Sequence, residues 1–146
     1  MPRILPPLGA ATGVAGSALS VAVLPWAVYG RFDIHLTRFP GWQFYVVSVL
    51  ALHGCVAWAL FVPAGRRSVV PLVVGAASAF VAAGSAMVLA FRYDDASALF
   101  PGVVPMVLPM PGPGPVAALL GIVAGIGAVL ASRDRTASPR TGSIPV

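Results

Sequence analysis

Few residues in this chain are equipped for chemistry, and their spacing limits what they can do. His53 sits inside an apolar run, WQFYVVSVLALHGCVAWALFV at 42–62. An imidazole in such a run can line a polar pathway, with Ser20, Ser78 and Ser85 as neighbours on other apolar segments. It can also be a neutral group bonded to a nearby serine, which is the cheaper arrangement in hydrocarbon. A second set, Arg31, Asp33, His35, Arg38, Arg92, Asp94 and Asp95, falls in the polar breaks between apolar segments. Adjacent Asp94 and Asp95 could hold Mg2+ for phosphate chemistry. Their side chains diverge, however, no third ligand accompanies them, and Arg92 is close enough to neutralise one. Pairing of the residues at 31 to 38 with Asp94 and Asp95 across the two breaks is their expected use.

Other chemistry lacks its parts. Met106 and Met110 offer thioethers suited to Cu(I), but no His or Cys adjoins them. His35 and His53 are eighteen residues apart, at different depths, and cannot face each other across a haem. Cys55 is the one cysteine, so no internal disulfide forms. No CxxC, HExxH or Gly-x-Ser-x-Gly occurs. No catalytic residue, cofactor or metal is therefore assigned, and the chain does not read as an enzyme.

The elements that position these residues are dictated by composition. Of the 146 residues 58% are hydrophobic and 9% charged, and the mean hydropathy is +0.92. A soluble domain carries about a quarter charged residues, so this chain lacks the makings of an aqueous surface. All nine basic residues are Arg. They lie between apolar segments rather than on a helix face or in a basic arm, which argues against nucleic acid.

Apolar runs near the roughly 20 residues needed to cross a bilayer occur at 8–29, 42–62 and 69–91. A fourth, at 115–132, is eighteen residues long, with Pro115 as its first helical residue. The expected fold is all-α: a polytopic integral membrane protein built as an antiparallel four-helix transmembrane bundle within residues 1–132. The polar tail at 133–146 reads as disordered. The first run is too long for a secretory signal, and no small-x-small cleavage site succeeds it, so it reads as an uncleaved span.

Arg3, Arg66, Arg67, Arg133, Arg135 and Arg140 fall on one side of this scheme, and Arg31, Arg38 and Arg92 on the other. Cytoplasmic loops carry the Arg excess, which places both termini in the cytoplasm and the protein, multi-pass, in the plasma membrane. Trp26 and Tyr29, then Trp42 and Tyr45, would mark the outer headgroup layer. Pro25 would kink the first helix. In the outer segment at 101–115, proline at 101, 105, 109, 111, 113 and 115 excludes a helix and favours extended backbone. Its apolar residues suit the headgroup layer, a fold over the bundle, or a docking strip for a partner.

Small residues at spacings of three and four supply the seams by which membrane helices approach. They are Gly9, Gly13, Gly16 and Ser20; Gly75, Ser78, Ala82 and Ser85; and Ala117, Gly121, Ala124 and Ala128. On the second span the stripe is Ser48, Ala51, Cys55 and Ala59, and His53 points about 160° away from it. Either that helix is central to the bundle or a second protein covers one side.

With LPW at Leu24–Trp26, AGRRS at Ala64–Ser68 and the small-residue third helix, residues 8–91 resemble small four-span membrane proteins of high-GC Gram-positive bacteria, of the tryptophan-biosynthesis-associated membrane protein type. The resemblance implies a four-span membrane fold. It brings no activity and no catalytic residues. The functional expectation is a non-catalytic accessory or assembly component of a membrane complex. Its partners would be the lipid bilayer and either further copies of itself or another membrane protein. The alternative is a small-molecule or ion pathway through His53.

Overall fold

The computed structural model describes residues 5–62, 69–102 and 105–137. It is mostly helical. Four long helices, α1 (Leu5–Ala22), α2 (Trp42–Phe61), α3 (Val70–Ala90) and α5 (Gly114–Ala137), pack side by side, with a four-residue helix α4 (Ala96–Leu99) after α3. Three of these, Trp42–Phe61, Val70–Ala90 and the Gly114–Ala131 part of α5, are long and apolar enough to cross a membrane. The apolar part of α1, Pro7–Ala22, is shorter. Phe44, Leu50, Phe61, Phe80 and Leu120 stand exposed on the helix surfaces. Side chains of this kind on several helices at once suit an apolar surrounding rather than water.

Packing between the helices relies on missing side chains. α1 and α5 run antiparallel in close contact: Gly9 lies against Ala124 and Ala128, Gly13 against Gly121 and Gly125, and Gly16 against Ala117 and Gly121. A Cβ on Gly13 would come within 3.0 Å of the Gly121 carbonyl oxygen, so glycine alone permits this backbone approach. The first and fourth seams thus mate with each other. α2 packs chiefly on α3, where Gly75 receives Cys55. The buried face of α3 is Gly75, Ala79, Ala82, Ala86 and Leu89, which leaves Ser78 and Ser85 off that face, at its margin.

The first span departs from expectation. α1 ends at Ala22 rather than running to Tyr29. The Val23 and Leu24 amides both donate to the Leu19 carbonyl, closing the helix. Pro25 disfavours helical backbone at Leu24, so it terminates the helix where a kink was expected.

Beyond Pro25 the chain forms a small sheet, at odds with a purely α fold. Strands β1 (Ala27–Tyr29) and β2 (Phe32–Ile34) form an antiparallel hairpin, and β3 (Pro109–Pro111) pairs antiparallel on the other side of β1. Gly30 takes a φ of 63° at the first turn position, while Arg31 stays in the ordinary negative-φ range. That pairing suits a two-residue hairpin with Gly first.

From Pro109 onward the prolines recur at every second residue, and the sheet gives the reason. The amides of Gly112 and Gly114 donate to the carbonyls of Trp26 and Pro25, while Met110 faces Val28 in register. Even-numbered residues therefore bond inward. Pro109, Pro111 and Pro113 occupy the alternate positions, whose nitrogens face outward and carry no proton. The sheet edge offers no donor to a further strand.

The largest buried side chains gather at this end of the helices. Trp26, Leu36, Phe39 and Tyr45 are essentially inaccessible. Trp26 meets Phe39 at 6.4 Å and Tyr45 edge-on at 5.5 Å between ring centres. The sheet, the 3-10 turn at Leu36–Arg38 and α4 together form a cap on the helices. Trp26, Tyr29 and Tyr45 are parts of its core and not the interfacial aromatics expected; of that set only Trp42 is half-exposed at a helix end.

α5 begins at Gly114 with Pro115 next, and its backbone continues to Ala137, past the expected end at 132. Arg3, Arg66, Arg67, Val103, Val104 and the tail at 138–146 lie outside the described residues.

Candidate functional site

Two groups of polar side chains define the candidate sites, one between the helices and one on the cap. Between the helices, Ser20 is wholly buried at the end of α1. Its hydroxyl donates to the Ser17 carbonyl at 2.9 Å and shares a 2.9 Å bond with the Tyr45 hydroxyl from α2. The Trp26 indole N–H donates to the Ser20 carbonyl at 2.7 Å. Trp26 therefore satisfies one of the carbonyls that a helix end leaves open, and binds the cap to α1. Ser17 Oγ is turned toward the same tyrosine but reaches no hydrogen-bonding geometry, so it is buried and unpartnered.

His53 lies two helical turns further along α2 from Tyr45, at i+8. Its Nδ1 is 2.8 Å from the Val49 carbonyl oxygen, and because a carbonyl oxygen only accepts, Nδ1 is the donor in this bond. Its Nε2 is buried and has no partner. It points toward α5, where a Cβ on Gly125 would stand 3.9 Å away.

The expected polar set of His53, Ser20, Ser78 and Ser85 is therefore not assembled. His53 bonds its own helix rather than a serine, and Ser20 belongs to the tyrosine–tryptophan cluster nearer the cap. The two faces of α2 are covered within the chain, Cys55 by α3 and His53 by α5. The rest of α2 is not enclosed: Phe44, Val47, Leu50 and Trp58 stand exposed on it.

Gly121 and Gly125, one turn apart on α5, stand opposite both unpartnered groups: a Cβ on Gly121 would come within 2.5 Å of Ser17 Oγ. The helix seam and the orphaned polar atoms thus coincide. Tyr45, Ser17 and Trp26 are the members that sequence reasoning missed. Tyr45 and Trp26 looked like membrane-surface aromatics because their burial depends on where α1 ends.

On the cap, the charged residues are dispersed. Arg31, Asp33, His35, Arg38, Arg92 and Asp94 lie at its surface, and no ion pair joins 31–38 to Asp94 or Asp95 among the described residues. The expected pairing is not made, because Asp95 has another use. It caps α4, accepting bonds from the Ala98 amide at 3.2 Å and the Ser97 hydroxyl at 2.6 Å. These bonds, with Arg92 nearby, hold its carboxyl below the ordinary range.

Tyr29 donates to the Tyr93 carbonyl at 2.8 Å and packs edge-on against Phe100 at 5.0 Å. Burial, then the charges of Asp94 and Asp95, push the Tyr29 phenol above its usual pKa, so it remains a donor there. Asp33, His35 and Arg38 share one concavity beside β2. No group of three or more metal-binding side chains is found among the described residues.

Comparison with protein-family models, with characterised proteins and with solved structures gives no match.

Proposed function

We propose that this is a small integral membrane protein, a four-span antiparallel helix bundle in the plasma membrane with both termini cytoplasmic, acting as a non-catalytic accessory or assembly component of a membrane complex. Three helices have spanning length, and α1 lies antiparallel along the fourth of the long helices from Gly9 to Gly16. A helix seated that closely on a spanning neighbour shares its layer, and its 18 residues reach about 27 Å. The Arg distribution supports the orientation.

The observation that carries the accessory role is the strap leading into β3. Met106 is fully exposed, Leu108 and Met110 largely so, on a segment held by the sheet. Apolar side chains presented on an ordered, prolyl-blocked edge suit contact through side chains, with a partner or the headgroup layer, and not strand addition. Crosslinking in native membranes followed by mild-detergent purification should give a stoichiometric membrane partner or a homo-oligomer. A lone monomer without crosslinks would refute the reading.

The unpartnered His53 Nε2 supports a second reading, a small-molecule or ion pathway. It requires that His53→Ala abolish flux in liposomes while the fold persists. If the variant only lowers thermal stability, His53 is structural.

A further inference from the structure

The concavity beside β2 has a volume of about 410 Å³, within the range of small-ligand sites. Its lining combines apolar Phe32, Leu99 and Phe100 with polar Asp33, His35 and Arg38. β2 and the 3-10 turn supply Phe32 and the polar groups, and Leu99 of α4 with Phe100 completes the lining. Asp33 and Arg38 face the same space, yet among the described residues neither is in an ion pair. A carboxylate and a guanidinium that share a cavity without contacting each other leave both charges free for a ligand carrying the opposite two.

From this juxtaposition we propose that the concavity binds a zwitterionic amino-phosphate, with the phosphate held by Arg38 and His35 and the ammonium by Asp33. Guanidinium presents paired donors that match phosphate oxygens, and the imidazole adds a further donor. The ethylene bridge of a phosphoethanolamine group would lie against Phe32 and Phe100. The 3-10 turn packs on α1 and α2, and Trp42 begins α2 a few residues later, so the site stands at the level of the helix ends. That position favours the headgroup of a phospholipid over a soluble molecule. Such a site would serve the protein whether or not it is an accessory component.

The test is native mass spectrometry of the full chain in detergent. Phosphatidylethanolamine and phosphatidylglycerol of matched acyl chains serve as probes, with free phosphoethanolamine as competitor. The wild type should retain phosphatidylethanolamine in preference to phosphatidylglycerol. Arg38→Gln should weaken retention of both by on the order of tenfold. Asp33→Asn should keep phosphatidylglycerol and lose the preference. Both residues are exposed, and an unchanged thermal midpoint will confirm that the variants fold. Displacement by free phosphoethanolamine at matched concentration would support the same chemistry with a soluble source. Equal retention of the two lipids by the wild type, or an unchanged preference in both variants, would overturn the proposal.

Discussion

At Gly121 the seam between α1 and α5 leaves no space: a Cβ there would stand 2.8 Å from the Ser17 amide nitrogen and 3.0 Å from the Gly13 carbonyl oxygen. Gly127, on the same helix, has nothing within 4 Å. Replacement by alanine favours helix at both positions by about 1 kcal/mol, so the difference between them isolates packing. Gly121→Ala should lower the thermal midpoint in detergent, with overpacking costing about 1–3 kcal/mol, while Gly127→Ala should leave it level or raise it. The Trp26 indole tests the link between cap and helix in a similar way. Trp26→Phe keeps a ring but orphans the Ser20 carbonyl, which should cost about 1–3 kcal/mol, read as a loss of thermal stability. Sequence pattern exposed the glycine seam because small residues at helical spacing have few other uses. It hid the role of Trp26, since an aromatic after an apolar run looks the same whether it meets lipid headgroups or a protein core.

Among the elements, β3 and α4 make the sharpest demands. The donor-free edge of β3 rests on Pro109 and Pro111. Substituting both with valine would restore two outward N–H groups on a strand-favouring residue, and light scattering should then show a larger particle than the wild type in the same detergent. An unchanged mass would mean that the prolines do not guard the edge. α4 begins on the Asp95 carboxylate, whose pKa is lowered from 3.8 in the folded chain. A depressed carboxyl contributes above its unfolded pKa and stops contributing as pH falls through its folded value. The protection of the Ala98 amide, the slowing of its exchange relative to an unstructured amide at the same pH, should therefore be greater near neutrality and fall below about pH 3.8, and Asp95→Asn should weaken that pH dependence. Extended backbone was readable from the proline density at 101–115. Its pairing partner was not, because β1 and β2 are three residues each and carry no alternation long enough to separate a strand from the end of a helix. The same shortness explains why the first span seemed to reach Tyr29.

For the whole molecule, membrane character was legible in composition, and the approximate positions of α2, α3 and α5 in hydropathy. The site between the helices was only half legible. His53 stood out by its type, but its orientation toward Gly125 depends on how α2 sits among α3 and α5, which no single segment encodes. The proposed role rests above all on α1, α2, α3 and α5 each crossing the membrane, with the cap outside and both ends inside. Single cysteines in a Cys55→Ser background probe that arrangement. Arg3→Cys, Arg31→Cys and Arg133→Cys would each be exposed to a membrane-impermeant maleimide in intact cells and again after permeabilisation. Only the cysteine at position 31 should be labelled in intact cells, and all three should react once the membrane is opened. Labelling at position 3 from outside would show that α1 does not cross, and labelling at 133 would invert the orientation.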